Sequence, residues 1–250
     1  MLTALFIGCS KLESEETWNS VKQLAYFEED KLKRYQDYEI LNPEKDIKQI
    51  IIEVNIGLDK DFYTDIKPTQ NLNSTTILVN KYNYLEKNYI PDDLVSINNM
   101  AKMSKVAANA FNEMVNNAKK EGYTIVGVSG YRSYIYQESL YKKYVAADGV
   151  EKADTYSARP GHSEHQTGLA IDVSNGKLSY TAFEKTEEFI WMIDNAHKYG
   201  FIMRYPDDKQ QITGYMYEAW HYRYVGKEIA NYIKKHNITY DEYYAKFLNH

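Results

Sequence analysis

Apolar residues recur every three or four positions in the stretch that follows Ser96. This spacing places them on one face of an amphipathic helix, which we predict to end near Gly122. The next segment, YTIVGVS at 123–129, is short and rich in β-branched residues, and is predicted to be a buried strand. The apolar positions of the helix are Met103, Val106, Ala107, Ala110, Phe111, Met114 and Val115.

The rest of the chain mixes short helices and strands without regular alternation. TTILVNKYNYL (75–85), FIMRYP and WHYRYV have the pattern of strands, whereas YIYQESLYKKYVAA has that of a helix. In SYTAFEKTEEFIWMIDNAHKYG, Thr181 and Glu184 form a predicted capping box, and Gly200 is the predicted stop. Two further helices are predicted at the C-terminus. This irregular order favours an α+β fold over a doubly wound sheet.

Residues 1–75 differ in character from the rest of the chain. From residue 10 onward they are highly charged and predict a polar helical arm, in which IKQIIIEVNIGL is apolar enough for one short helix or strand. The main domain is predicted to cover residues 76–250. The formal net charge of −5, without a basic stripe or a glycine-rich phosphate loop, argues against a nucleic-acid partner. The chain is expected to act as a monomer.

The single cysteine, Cys9, excludes an intrachain disulfide. The opening MLTALFIGCSKLESEE is apolar up to this cysteine and then abruptly polar, which resembles the end of a bacterial lipoprotein signal. Only eight residues precede Cys9 and none of them is basic, so we interpret residues 1–9 as a remnant of such a signal, with an accidental hydrophobic terminus as the alternative. We expect a lipid on Cys9 to be the only contact with a membrane, and the protein to lie outside the cytoplasm.

The stretch HQTGLAID places a histidine and an aspartate where a metal could use both. Gly168 marks a bend, after which Leu169 and Ile171 fill a core face while Asp172 points to the opposite face. His165 lies just before the bend and can fold back toward Asp172. Imidazole nitrogen and carboxylate oxygen are both normal zinc ligands. By itself the pair is also compatible with a turn contact and a strand-end hydrogen bond, which is the more frequent case.

A second histidine and carboxylate occur in EAWHYRYVG. Trp220 and Tyr222 share one face of a predicted strand, so His221 points to the other face and can supply a third ligand. Glu218 is expected in the loop or bulge leading into the strand, close to the metal without being a ligand. Two histidines and one aspartate leave the fourth zinc position open, as in catalytic sites. There a nearby glutamate can accept a proton from the activated water.

These motifs resemble those of a known family. SEHQTGLAID matches SxHxxGxAxD, and EAWH matches ExWH. Together with SGYRS upstream, they resemble the zinc D-alanyl-D-alanine carboxypeptidases of the VanY type over about residues 76–226. That family shares its fold with D-Ala-D-Ala dipeptidases, phage L-alanyl-D-glutamate endopeptidases and the Hedgehog signalling domain. The resemblance implies a small antiparallel sheet flanked by helices.

The resemblance also implies a role for each motif residue. The implied zinc ligands are His165, Asp172 and His221. Glu218 would be the general base, and then the acid toward the leaving amine. Arg132 and Ser163 would hold the substrate's terminal carboxylate, a task that suits the planar fork of arginine. Gln137, one helical turn further on, is a weaker candidate for the same contact, with a solvated helix face as the equally frequent alternative.

The implied activity is removal of the terminal D-alanine from peptidoglycan stem peptides. An L,D-carboxypeptidase that trims tetrapeptides uses the same motifs, and the choice between them lies in cavity shape. A non-catalytic zinc-containing binding module, as among Hedgehog-like relatives, is the alternative from a different class. Glu218 and Arg132 argue against such a module, because a binder needs neither a base nor a carboxylate clamp.

Overall fold

The structure is a computed structural model that describes residues 18–249 of the 250-residue chain. The predicted signal remnant at 1–9, with its lipid on Cys9, lies outside the described residues. The described residues divide into two compact units, one formed by residues 18–61 and 241–249 and the other by residues 62–240. Within the described part of the chain, no helix is long and apolar enough to cross a membrane.

The secondary-structure elements are short and irregularly ordered. The strands are β1 (Lys67–Pro68), β2 (Asn83–Tyr84), β3 (Leu94–Ser96), β4 (Lys102–Ser104), β5 (Val126–Ser129), β6 (Ala170–Ser174), β7 (Phe201–Met203) and β8 (His221–Tyr224). The helices are α1 (Leu32–Leu41), α2 (Ile47–Ile56), α3 (Lys105–Lys120), α4 (Tyr134–Asp148), α5 (Val150–Asp154), α6 (Glu187–Asn195), α7 (Gln210–Thr213), α8 (Lys227–His236) and α9 (Tyr240–Phe247). Short 3-10 helices occur at Glu29–Lys31, Glu164–Thr167, Tyr180–Lys185, Ala196–Tyr199 and Asp207–Lys209.

Helices α1 and α2 belong to the smaller unit. Asp46 caps α2 by accepting a hydrogen bond from a backbone N–H two residues further on. Gly57 ends the helix in the left-handed conformation, with φ of 109°. The sequence of the apolar run IKQIIIEVNIGL is compatible with either a helix or a strand, and the structure shows that it is a helix. Ile50 and Ile51 within it are fully buried.

The two units divide the chain differently from the predicted arm (1–75) and main domain (76–250). Residues 62–75 belong to the larger unit, where β1 pairs in parallel with β2. Residues from Asp241 onward belong to the smaller unit, where Gln49 donates a hydrogen bond to Glu242 at 3.3 Å. The functional division, with the zinc peptidase within residues 76–250, stays a prediction.

Four strands form the sheet that positions the site. Their order is β5-β6-β8-β7, and all neighbours are antiparallel. Asp172 in β6 lies directly opposite His221 in β8, although 49 residues separate them. On the other side of β6, Ser129 lies opposite Asp172, next to a register shift that begins at Gly127. The predicted small antiparallel sheet flanked by helices is confirmed.

The apolar core lies on one face of this sheet. Ile171 and Val173 of β6 are fully buried and belong to one cluster with the apolar face of α3. The α3 members of the cluster are Ala107, Ala108, Phe111, Met114 and Ala118. Because side chains alternate along a strand, Asp172 faces the opposite way and lines a cavity. Strand β6 thus separates core from site as its sequence predicts.

The predicted strand at 75–85 is wrong over most of its length, because only its short piece β2 pairs with another strand. For residues that precede β2, an arginine side chain supplies the hydrogen-bond donors that a neighbouring strand would supply. Arg223 donates to the backbone carbonyl oxygens of Thr75 and Ile77 at 3.0 and 2.6 Å. These carbonyls are therefore satisfied without a ladder of strand hydrogen bonds.

Two predicted helix starts are displaced along the chain. The helix expected after Ser96 begins only at Lys105, because the intervening residues form the hairpin of β3 and β4. Asp93 then caps α3 by accepting from the backbone N–H of Lys105 at 3.0 Å. The predicted cap at Thr181 lies inside a 3-10 helix instead, and Thr186 caps α6. The position of the turn before each helix therefore determines which side chain caps it.

Candidate active site

One cavity of about 300 Å³ collects the predicted site residues. All seven line it: Arg132, Gln137, Ser163, His165, Asp172, Glu218 and His221. Tyrosine side chains form much of the remaining wall. They are Tyr144, Tyr156, Tyr180, Tyr205 and Tyr215. The fold therefore brings both motifs and the arginine segment to one place, and adds an aromatic wall that no motif indicates.

His165, Asp172 and His221 form a compact set of possible metal ligands. Each offers one ligand atom, and the three atoms lie within 4.8 Å of one another. Asp172 Oδ1 is 3.3 Å from His165 Nε2 and 3.1 Å from His221 Nδ1. His165 Nδ1 lies 2.7 Å from the carbonyl oxygen of Gly130. Because a carbonyl only accepts, Nδ1 carries the hydrogen and Nε2 has the lone pair that a metal can use. Arg132 Nη2 lies 2.8 Å from this Nε2.

This donor set fits zinc. Three protein ligands of these types leave one position of a tetrahedral zinc ion for water or substrate. Burial and the charge of Arg132 lower the pKa of His165 to about 4, so its Nε2 is unprotonated at neutral pH. Burial alone would lower the pKa of His221, but the carboxylates of Asp172 and Glu164 raise it to about 9. Metal binding at His221 therefore releases a proton.

Glu218 lies beside the three ligands, in the loop before β8, as its sequence context predicts. Its backbone carbonyl accepts from the N–H of His221 at 3.2 Å, and its Oε2 lies 3.7 Å from His221 Nδ1. Burial, opposed by the charge of His221 and aided by that of Asp172, raises the pKa of Glu218 to about 7. A carboxyl group with this pKa can take up and return a proton near neutral pH.

Arg132 extends from the turn after β5 toward the metal ligands. Its Nη2 donates to Asp172 Oδ2 at 2.6 Å, and its Nε donates to Ser129 Oγ at 3.0 Å. Gln137 Oε1 accepts from Nη1 at 3.4 Å, while Gln137 Nε2 donates to the carbonyl of Ala158 at 2.8 Å. Gln137 is only 2% exposed, so the alternative of a solvated helix face is wrong. Ser163 is buried and also lines the cavity.

A buried charge cluster behind His221 was missed at the sequence level. Glu164 Oε1 accepts from Arg204 Nε and from Arg223 Nη1, both at 2.8 Å. Burial alone would raise the pKa of Glu164, but the two arginines hold it well below its usual range. One signal was available, because the alternation in WHYRYV places Arg223 on the face of His221. Arg204 and Glu164 carried no such signal.

We expect Gly130→Ala to weaken both the fold and zinc binding. A Cβ at Gly130 would lie 2.1 Å from the carbonyl oxygen of Lys102. Because that atom belongs to the backbone, the loop must shift, at a cost of about 1–3 kcal/mol, and the Gly130 carbonyl that orients His165 shifts with it. Thermal unfolding and zinc titration measure the two effects.

The matched control for this prediction is Gly122→Ala. A Cβ at Gly122 meets nothing within 4 Å, and only its φ of +94° opposes alanine. The control is expected to lose stability while keeping its zinc affinity. Equal zinc affinities in the two variants would contradict the assigned role of the Gly130 carbonyl.

Two histidines, an aspartate and an adjacent buried glutamate in one cavity of an α+β domain are the groups of a zinc metallopeptidase active site. Comparison with known proteins agrees. Residues 100–227 match the family model VanY, D-alanyl-D-alanine carboxypeptidase. The putative carboxypeptidase YodJ of Bacillus subtilis is 44% identical over an alignment of 208 positions, and the match covers 76% of this chain and 76% of that protein. The chain therefore belongs to the VanY family of D-alanyl-D-alanine carboxypeptidases.

Two of the solved structures that are similar to this one differ in the activity that they are named for. The LD-carboxypeptidase LdcB has a TM-score of 0.68 and 43% identity, with 73% of this chain and 91% of that chain covered. The D,D-pentapeptidase VanY from a VanB-type resistance cassette was solved as a mutant with Zn(II). It has a TM-score of 0.61 and 32% identity, with 68% of this chain and 98% of that chain covered. The predicted family, fold class and zinc-dependent peptidase class are confirmed. The roles of individual residues stay predictions.

Proposed function

We propose that this protein removes the terminal D-alanine from peptidoglycan stem peptides as a zinc-dependent D,D-carboxypeptidase. The observation that supports this most is the convergence of a metal-ligand set, a buried carboxylate and an arginine in one cavity. A binding module would need neither the buried carboxylate nor the arginine. The peptidase is assigned to residues 76–250, and it is expected to act as a monomer, because one chain supplies every group named.

His165, Asp172 and His221 would hold the zinc ion. When bound, zinc supplies Lewis-acid polarisation of the scissile carbonyl and of water. Glu218 Oε2 accepts a proton from the attacking water, and the same oxygen then returns it to the amine of the leaving D-alanine. Burial raises the pKa of Glu218, so this carboxyl group holds a proton more readily than an exposed one and can both accept and return it.

Arg132 would bind the terminal carboxylate of the substrate. Its guanidinium presents several donors in a planar fork, which matches a carboxylate in bidentate fashion. Nη2, which donates to Asp172 Oδ2 at 2.6 Å, would exchange this contact for the substrate. Ser129 and Gln137 hold the guanidinium at the cavity wall at 3.0 and 3.4 Å. Gln137 therefore acts by positioning Arg132 rather than by reaching the substrate, whereas Ser163 remains the candidate for a second carboxylate contact.

An L,D-carboxypeptidase that trims tetrapeptides is the second candidate function. The observation that favours it is the similarity to LdcB, which is higher in identity and TM-score than that to the VanY structure. One experiment separates the candidates. The zinc-loaded protein is incubated with a pentapeptide ending in D-Ala-D-Ala and, in parallel, with the tetrapeptide that ends in a single D-alanine, and released D-alanine is measured.

Faster release from the pentapeptide supports D,D-carboxypeptidase action, and faster release from the tetrapeptide supports the L,D alternative. Release from neither peptide would contradict both and favour the binding module. The control is Arg159→Ala. Arg159 pairs with Asp154 at 2.8 Å, and neither residue lines the cavity, so the choice of substrate should not change.

Action on peptidoglycan places the protein outside the cytoplasmic membrane. We assign its attachment there to a lipid on Cys9, with the acidic stretch that follows as a spacer. Mass spectrometry of the N-terminus from native cells would show the mass of the lipid on this cysteine. A free thiol at Cys9 in a soluble cytosolic pool would refute the attachment and leave the peptidase assignment untouched.

We expect Arg132 to make this enzyme depend on a free C-terminus. Amidating the substrate's C-terminus should reduce kcat/KM of the wild type by about one to two powers of ten, the worth of a charge-assisted bidentate contact of about 1.5–3 kcal/mol. Arg132→Ala should lose that preference, because the clamp is already gone. Kinetics with paired acid and amide peptides measure the effect, and equal discrimination by both enzymes would mean that Arg132 is not the clamp.

A further inference from the structure

The two ring nitrogens of His221 face different carboxylates. Nδ1 points to the metal-ligand set, 3.1 Å from Asp172 Oδ1 and 3.7 Å from Glu218 Oε2. Nε2 points the other way, with Glu164 Oε2 at 3.6 Å. Both Nε2 and Oε2 are buried and have no hydrogen-bond partner among the residues that the structure describes. Two unsatisfied polar atoms of complementary character therefore face each other, just beyond hydrogen-bond distance.

Glu164 is held so that Oε2 stays directed at His221. Its other oxygen, Oε1, accepts from Arg204 and Arg223, both at 2.8 Å. Arg223 is fixed in turn, because its Nη2 donates to the carbonyl of Ile77 at 2.6 Å. The side chains of the three charged residues are no more than 1% exposed. A carboxylate fixed in this way offers one oxygen to the imidazole and cannot turn toward water.

A histidine that binds metal through Nδ1 must carry its hydrogen on Nε2, and that hydrogen needs an acceptor. For His165 the acceptor is a backbone carbonyl, that of Gly130 at 2.7 Å. We infer that Glu164 is the positioning residue for His221. It accepts the Nε2 hydrogen and thereby fixes both the orientation of the ring and the lone pair of Nδ1. The inference rests on the proposed zinc site and concerns metal binding, not turnover.

The test is the zinc affinity of Glu164→Gln, measured on the full chain by competition with a chromophoric chelator. Because both arginines donate to Oε1, the amide oxygen must turn to them, and the amide NH₂ must turn to His221 Nε2. A donor at that position favours the tautomer with its hydrogen on Nδ1, which cannot bind metal. We expect zinc affinity to fall about 10–100-fold, the usual effect of losing the partner of a ligand histidine.

The matched control is Glu53→Gln. Glu53 is also a buried carboxylate in an ion pair, 2.6 Å from Lys45, but it belongs to the smaller unit. The same substitution there should leave zinc affinity unchanged. A second variant, Glu164→Gln with Arg204→Gln, removes one charge of each sign. It keeps the net charge of the buried cluster and tests the inference if the single variant does not fold.

A structural role alone would lower the unfolding temperature of the metal-free protein without changing zinc affinity. Zinc affinity within twofold of wild type in either folded variant would overturn the inference. ¹⁵N NMR of labelled histidine in the zinc-loaded wild type adds a test that needs no substitution. A hydrogen on His221 Nε2 supports the inference, and metal bound through Nε2 overturns it. Peptidase activity does not enter this result, so a zinc-binding but inactive protein would count only against the proposed function.

Discussion

Glu218→Gln is expected to retain the fold and its zinc while kcat falls by about two to four powers of ten, the usual cost of losing a general base. Glutamine has nearly the same shape, but its amide cannot accept a proton at neutral pH. The carboxyl group it replaces is buried beside His221, with a pKa of about 7. Steady-state kinetics together with metal analysis of the same sample measure the effect.

The matched control for Glu218 is Glu138→Gln. Glu138 lies on α4 in an exposed pair with Lys142 at 3.3 Å and does not line the cavity. Exposed pairs of this kind contribute about 0–1 kcal/mol, so the control should behave as wild type. If Glu218→Gln keeps kcat within tenfold of wild type while holding zinc, another group must take the proton and the assignment of the base is wrong.

Replacing any one of His165, Asp172 and His221 by alanine should abolish stoichiometric zinc binding and, with it, activity. The loss should be at least as large as that of the Glu218 variant, because two ligands cannot hold the ion in a three-ligand site. The variants should also lose stabilisation by zinc, which for the wild type is about 2.7 kcal/mol at a zinc concentration of 100 Kd. Metal analysis after dialysis and thermal unfolding with and without zinc measure both effects.

His162→Ala is the control for this prediction. His162 is a buried histidine only three positions before His165, but its Nδ1 pairs with the carbonyl of Asn80 at 2.8 Å and it does not line the cavity. It should therefore lose some stability while keeping full zinc. A His221→Ala variant that retains stoichiometric zinc would remove His221 from the ligand set.

Much of the site could be predicted because the relevant geometry is local. Gly168, with φ of 70°, turns the chain between His165 and β6, and alternation along β6 then directs Asp172 away from the core. The same alternation places His221 opposite the aromatic residues of its strand. Turns and side-chain alternation follow from backbone sterics over a few residues, so they are visible in the order of residue types.

Two predictions of local structure were wrong. Residues 75–85 have the composition of a strand, but Arg223 takes up the carbonyls of Thr75 and Ile77. Thr181 has the spacing of a capping box, but the chain turns later and Thr186 becomes the cap. In each case the pattern was compatible with two local structures, and packing decided between them.

The sequence alone determined the family and predicted the three metal ligands and the adjacent glutamate, because these depend on residue type and on spacing within two short motifs. Only the tertiary structure decided what stands behind His221. Glu164 pairs with Arg204 and Arg223, which lie 40 and 59 residues further along the chain. Hydrogen bonds over such separations require the sheet register and the packed core to be in place. Alternation places Arg223 on the face of His221, but no pattern in the sequence shows that either arginine meets Glu164.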